Sequence, residues 1–202
     1  NEKVIETINR GHIQIVEPGL QQLVQSVVEA GNLRASLLPE EADVFLIVVP
    51  TPVKGGNHEP DITYVTAATQ AVIPYLKEGD LYIIESTSPV GTTEKMMQLI
   101  YAERPELKNK IYIAYCPERV LPGNVLYELE HNARVIGGIN EESTEKAVQF
   151  YSRFVTGNLH KTNSRTAEMC KLTENSSRDV HIDFANDLSL FCYTDGTHVW
   201  EL

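Results

Sequence analysis

The sequence predicts an α/β fold in which a parallel sheet with helical crossovers is followed by one long helix. Three observations carry this prediction. Short, uninterrupted apolar runs rich in β-branched and aromatic residues occur at 43–49, 80–85 and 111–115. Runs of that kind belong to strands buried on both faces, as in parallel sheets. Helical periodicity fills the segments between them, at 61–77 and 91–103, so strand and helix alternate as in βαβ units. Residues 164–195 contain neither Pro nor Gly, and apolar residues recur there at helical spacing. That pattern predicts a single helix of about 30 residues, roughly 45 Å long.

The remaining elements follow in order. Val4, Ile5 and Ile8 share one side of a helix over 1–9, which Gly11 stops. A second helix begins after Pro18, turns Leu20, Leu23, Val27 and Val28 inward, and ends at Gly31. Pro50 and Pro52 terminate the strand at 43–49, and Gly55-Gly56-Asn57 makes a loop. A short strand is expected at 134–137 and a helix at 141–155. Asn163 or Ser164 caps the long helix and Gly196 stops it. The change of pattern places a domain boundary near 157–163, dividing residues 1–160 from 161–202. A helix of this length bridges domains or forms a subunit interface.

Composition narrows the function. The chain has 202 residues, 42% of them hydrophobic, enough for a real core. Its net charge is −11 and it contains no Lys/Arg run, which argues against nucleic acid and anionic membrane as partners. An anionic ligand stays possible, because a local pocket can be positive on an acidic protein. Cys116, Cys170 and Cys192 are widely spaced with no CxxC pair. This fits reduced thiols in a cytoplasm better than disulfides or zinc. No apolar run approaches the ~20 residues needed to span a bilayer, and the N-terminal segment has no signal-peptide core. His12, His58, His131, His160, His181 and His198 show no ligand spacing, so no metal is expected.

Three loops, at 50–52, 86–91 and 116–123, follow three successive strands and should share the carboxyl edge of the sheet, where open α/β sheets bind ligands. Thr51 and Thr87 suit ribose or phosphate oxygens, since a hydroxyl donates and accepts. Arg119 suits a phosphate. Each is equally ordinary as a cap, turn or surface ion-pair residue. Lys171, Asn175 and Arg178 are spaced i, i+4, i+7 and share one face of the long helix. Such donors can hold an oxyanion, and a desolvated lysine can move a proton. A solvated polar stripe fits the spacing equally well, with Glu168, Glu174 and Asp179 near enough to pair with these cations. Cys116, just before Pro-Glu-Arg, reads as a nucleophile or as a buried structural thiol.

Taken together, VVPTP (48–52), ESTSPVGTTEKM (85–96), AYCPERVLPG (114–123), RVIGG (134–138) and TNSRTAEMCKLTENSSRDV (162–180) resemble the UDP-glucose/GDP-mannose dehydrogenase family. They span most of the chain in that family's order. The resemblance implies a Rossmann-like domain followed by a central dimerisation helix, and hence a homodimer through 164–195. It implies oxidation of the C6 hydroxymethyl of a UDP-sugar with NAD, for surface polysaccharides. The matching segments favour UDP-N-acetyl-D-mannosamine, with UDP-glucose and UDP-N-acetylglucosamine as alternatives. By resemblance, Thr51 and Thr87 contact NAD, and Arg119 and Val120 bind substrate. Lys171 is the catalytic lysine, Asn175 and Arg178 bind substrate beside it, and Glu118 lies near the reacting centre. Asp187 stands where the family usually has Glu. The family's G-x-G-x-x-G turn is expected before Asn1, its nucleophilic cysteine and nucleotide-sugar domain after Leu202, and the chain alone is expected to be inactive. The wider β-hydroxyacid dehydrogenase group shares the Lys-x-x-x-Asn pattern, but PERVLPG weighs against it. A module that only binds nucleotide or dimerises is the remaining alternative.

Overall fold

A computed structural model describes residues 1–56 and 59–201. Asn57, His58 and Leu202, the first two of which carry parts of the expected 55–57 loop and histidine set, lie outside the described residues. Helices α1 (Glu2–Asn9) and α2 (Leu20–Glu29) lead into strand β1 (Val44–Ile47). Helix α3 (Thr63–Val72), with a 3-10 turn at Ile73–Tyr75, precedes β2 (Leu81–Ile84). Helix α4 (Thr92–Glu103) precedes β3 (Tyr112–Tyr115). Then come α5 (Val125–His131), β4 (Arg134–Gly138), α6 (Glu141–Tyr151), β5 (Leu159–Asn163) and α7 (Ser164–Asp195).

The five strands form one sheet in sequence order. β1, β2 and β3 are parallel, as expected, and β4 pairs with β5 in parallel. The β3–β4 pairing is antiparallel, a correction to the all-parallel expectation. The link from 116 to 133 carries only the short α5, and β4 starts where that link leaves it, at the carboxyl edge of β3. A strand that begins there must run back, and antiparallel neighbours need no crossover helix. Only Ala114 and Tyr115 of β3 pair with β4, opposite Gly138 and Gly137. The front of β4, starting at Arg134, therefore projects past the end of β3.

The sheet is covered on both faces. Phe45, Ile47, Tyr82, Ile84, Ile113 and Tyr115 meet Val65, Met96, Ile100 and Ala167 from α3, α4 and α7 on one side. Leu81, Ile83, Ala114 and Ile136 meet Ala147 and Tyr151 of α6 on the other. β1 departs from the expectation of burial on both faces, with Leu46 at 42% exposure. It is an edge strand, and the α6 layer lies over the middle of the sheet. α5 is too short to show periodicity. β5 is mostly polar, Leu-His-Lys-Thr-Asn, and occupies the segment where the pattern change suggests a domain boundary. It runs directly into α7, whose first turn is capped by Asn163 through Thr166 N–H.

Two glycines let this junction close. A side-chain carbon on Gly137 would lie 2.2 Å from the Asn163 carbonyl oxygen, and one on Gly138 would lie 2.5 Å from Thr144 N. Both obstacles are backbone and cannot swing away. Gly137→Ala should cost about 3 kcal/mol through overpacking, read as a lower urea midpoint. An unchanged midpoint would show that the β4–α7 contact is looser than described.

Candidate active site at the carboxyl edge of the sheet

Ile47, Ile84 and Tyr115 lie in register at the ends of three parallel strands, so the loops after them emerge at one edge. Ser86 ties the first two loops together. Its Oγ accepts from Val49 N–H at 2.8 Å and donates to Val49 O at 2.8 Å. One buried hydroxyl thereby sets the spacing between the loops that carry Thr51 and Thr87, both half-buried. Ser88 is also buried and donates to Ser86 O at 2.9 Å.

The third loop is docked on α7. Lys171 Nζ donates to the Glu118 carbonyl at 2.6 Å. Arg119 grips Glu174 through Nε at 3.1 and 3.0 Å and through Nη2 at 2.6 Å, while its Nη1 donates to Ala133 O at 2.9 Å. The Glu118 carboxylate turns back on its own loop, where Oε1 accepts from the N–H groups of Arg119 at 2.6 Å and Val120 at 3.0 Å. The structure thus brings Lys171, Glu118, Arg119 and Val120 together. Asn175 and Arg178 stand further along the same helix, Arg178 Nη2 donating to Asn175 Oδ1 at 3.1 Å.

The stripe is placed by what the helix buries behind it. Ser164, Ala167 and Glu168 pack inward on the first turns of α7. Lys171 follows Ala167 by four residues and Glu168 by three, so it continues that face just beyond the sheet. The side chain is neither buried nor free. Partial burial pushes the Lys171 ammonium below the ordinary lysine range, with the Glu174 carboxylate opposing the shift.

Glu168 does not pair with these cations. It is fully buried and caps the start of α4, where Oε2 accepts from Gly91 N–H at 2.5 Å and Oε1 from Thr93 N–H at 2.8 Å and the Thr93 hydroxyl at 2.7 Å. A carboxylate on the orphan amides of a helix start is favoured by hydrogen bonding and by the helix dipole. This cap links the Thr87 loop, which runs into α4, to the turn of α7 that carries Lys171.

Behind the third loop lies a polar cluster that sequence reasoning missed. Arg134 is buried at the start of β4, with Nη2 3.5 Å from Glu118 Oε2, Nη1 3.9 Å from Glu85 Oε1, and its guanidinium 5.0 Å from the Tyr151 ring centre. The Tyr151 hydroxyl donates to Glu85 Oε1 at 2.5 Å. Burial raises the Glu85 carboxyl above its usual range and pushes the Cys116 thiol up to about 12. Cys116 is therefore a neutral core thiol at physiological pH, not a nucleophile. The available signal was a charged residue opening an otherwise apolar strand, Arg-Val-Ile-Gly-Gly. Cys170 is exposed and lines an open cavity of about 410 Å³ with Arg119, Lys171 and Glu174. Among the described residues, no group of three or more His, Cys, Asp or Glu could hold a metal ion, and no helix is long and apolar enough to cross a membrane.

Comparison with known proteins identifies the family. Residues 1–155 match the model of the UDP-glucose/GDP-mannose dehydrogenase family, NAD binding domain. The whole chain is 55% identical to UDP-N-acetyl-D-mannosamine dehydrogenase of Escherichia coli (strain K12) and 52% identical to the Campylobacter jejuni enzyme of the same name. It covers 50% of the former and 52% of the latter, so it spans about half the length of the curated relatives it matches. Among solved structures, UDP-D-ManNAc dehydrogenase from Pyrococcus horikoshii superposes on the entire chain with a TM-score of 0.91 at 38% identity, using 49% of its own length. The Staphylococcus aureus UDP-N-acetyl-mannosamine dehydrogenase does so at 0.87 and 39%, also using 49%. The chain belongs to the UDP-glucose/GDP-mannose dehydrogenase family.

Two outcomes test this geometry. Because desolvation lowers the Lys171 pKa, the charged lysine burdens the fold at lower pH, and that burden lifts as pH rises through its folded value toward the unfolded one. The Lys171 side-chain nitrogen should titrate below 10.5 by NMR, and a midpoint at or above that value contradicts the docked arrangement. Glu168→Ala should cost about 3 kcal/mol, because buried amides lose their acceptor. A loss under 1 kcal/mol in urea unfolding would mean that solvent reaches those amides.

Proposed function

We propose that this member of the family supplies the NAD-binding part and the lysine-bearing helix of an NAD-dependent UDP-sugar 6-dehydrogenase. Its proposed substrate is UDP-N-acetyl-D-mannosamine and its product UDP-N-acetyl-D-mannosaminuronate, a precursor of surface polysaccharide. The observation that carries the reading is Lys171, half-buried and bonded to the Glu118 carbonyl, held at the edge where three parallel strands end. The names of the relatives at 52–55% identity favour the substrate.

Thr51 and Thr87 suit the ribose or phosphate oxygens of a dinucleotide. Thr51 and Thr87 sit on adjacent loops at the carboxyl ends of parallel strands, the place where open α/β sheets take such ligands. NAD, when bound, would supply the hydride acceptor for the C6 carbon, one equivalent taking the alcohol to the aldehyde and a second, with water, taking the aldehyde to the carboxylate. The chain's own residues serve the first of these steps, the oxidation of the alcohol. Thr51 and Thr87 hydroxyls bind and orient the cofactor. The Arg119–Val120 segment and the exposed Arg178 bind the nucleotide sugar. Lys171, whose lowered pKa eases proton release, takes the proton from the C6 hydroxyl and, with Asn175, holds the oxygen as charge develops on it. Glu118 stands beside the reacting centre. No nucleophilic role is assigned to Cys116, Cys170 or Cys192.

The division proposed is residues 1–160 for the NAD-binding domain and 161–202 for the central helix. Val180, Phe184, Leu190 and Phe191 of α7 are exposed between 63% and 67%, more apolar surface than a helix in water normally keeps. We assign that surface to a second copy of the chain, and the protein to the cytoplasm, consistent with its free thiols.

The test is NADH formation by the full-length enzyme with UDP-N-acetyl-D-mannosamine, UDP-glucose and UDP-N-acetylglucosamine in parallel. The first should be preferred, and Lys171→Ala should lower kcat by about 10²–10³-fold. Activity with none of the three sugars, or near-wild-type turnover in the lysine variant, refutes the assignment. Phe184→Glu should convert dimer to monomer in sedimentation velocity, and an unchanged dimer would place the interface elsewhere.

A further inference from the structure

We propose that Arg134 is the positioning residue of Glu118, and that the Glu118 carboxylate moves from the loop amides onto Arg134 when a substrate oxygen takes those amides. The inference rests on the reading of the 116–123 loop as part of the substrate site.

Arg134 is a buried cation with too few partners. Its side chain is 5% exposed. Nη2 reaches the Leu129 carbonyl only at 3.4 Å and Glu118 Oε2 only at 3.5 Å. Nη1 has no hydrogen-bond partner among the described residues. A buried guanidinium with an open donor is unfavourable unless an anion completes it. Its planar fork presents two parallel N–H groups, the geometry that receives a carboxylate.

Two carboxylates face it, and only one is free to move. Glu85 is buried, 13% exposed at its side chain, and its Oε1 already accepts the Tyr151 hydroxyl. The third neighbour, the Cys116 thiol, is uncharged at neutral pH. Glu118 is 35% exposed at its side chain and sits on a loop, with Oε2 already turned toward Arg134. What holds it back is Oε1, which occupies the N–H groups of Arg119 and Val120.

Those two successive amides converge on one oxygen, as in a backbone nest that binds an anion or carbonyl acceptor. The loop's own carboxylate fills that nest in the structure described here, so it competes with any ligand oxygen that needs the same donors. A ligand that displaces it leaves the carboxylate two choices, water or the unfilled fork of Arg134. The second completes a buried cation and keeps Glu118 beside the Glu118–Lys171 contact. Arg134 thereby acts on substrate affinity without touching substrate.

The experiment is a double-mutant cycle on the full-length protein, with UDP-N-acetyl-D-mannosamine binding measured calorimetrically without NAD. Glu118→Ala removes the competing carboxylate and should tighten binding about tenfold, the scale of one charge-assisted hydrogen bond, while turnover falls. Arg134→Gln removes the receiving site and should weaken binding about tenfold. In the Glu118→Ala background, Arg134→Gln should change affinity less than about twofold, since no carboxylate remains to receive. An equal penalty in both backgrounds would show a purely structural arginine and overturn the proposal, as would weaker binding in Glu118→Ala. Absence of binding by the wild type overturns the substrate reading itself. Where Arg134→Gln does not fold, the Arg134 side-chain N–H resonances carry the same test. Substrate should shift them in the wild type and leave them in place in Glu118→Ala, and a shift in both or in neither overturns the inference.

Discussion

The site depends on one buried carboxylate. Glu168 reaches out of α7 and takes the first amides of α4, 75 and 77 residues earlier in the chain. Those amides have no partner within their own helix, and a buried carboxylate has none unless donors surround it. Each satisfies the other, so neither can move without leaving both unpaired. The consequence is geometric. The Thr87 loop ends at Gly91, and Lys171 lies one turn beyond Glu168, so the loop proposed for the cofactor and the lysine proposed for proton transfer share one rigid joint. Gly91 also adopts φ +93°, a left-handed backbone conformation that residues with side chains rarely take.

The long helix does two jobs with a single face. Its first turns bury Ser164, Ala167 and Glu168 against the sheet and α4. Helical period then carries the same face outward, so Lys171 emerges over the carboxyl edge and Asn175 beyond it. No separate device aims the stripe, since the packing of the first two turns aims it. Partial burial also accounts for the lowered pKa of Lys171. Lys171 is near enough to the loop to lose water from its ammonium, yet it keeps a carbonyl acceptor and the Glu174 carboxylate nearby. A fully buried ammonium would be costly, and a fully exposed one would keep an ordinary pKa.

Beneath the loop the electrostatics are unbalanced in a way that the fold tolerates. Arg134 enters the sheet because β4 starts beyond the end of β3, so that it pairs with Leu159 of β5 on one side and has no strand neighbour on the β3 side. Tyr151 and Glu85 hold one side of the pocket and the Glu118 loop forms the other. The thiol of Cys116 lies in the same pocket, desolvated and neutral, and belongs to the core under α6.

Much of this was legible in the residues alone. Uninterrupted apolar runs located β1, β2 and β3, and the gap in Pro and Gly located α7 almost to the residue. The three loops at one edge followed from parallel strands, and the Lys171, Asn175 and Arg178 stripe from helical spacing. These features rest on local periodicity, which the chain carries by itself. The direction of β4, the polar edge strand β5 and the exposed face of β1 rest on which segments meet, and no local pattern records that. The same holds for single charges. Glu168 read as a partner for nearby bases and is a helix cap, while Arg134 read as nothing and is the cation under the loop. Whether a lone charge pairs, caps or stays unfilled is set by donors and acceptors far away in sequence, which only the folded chain brings within reach.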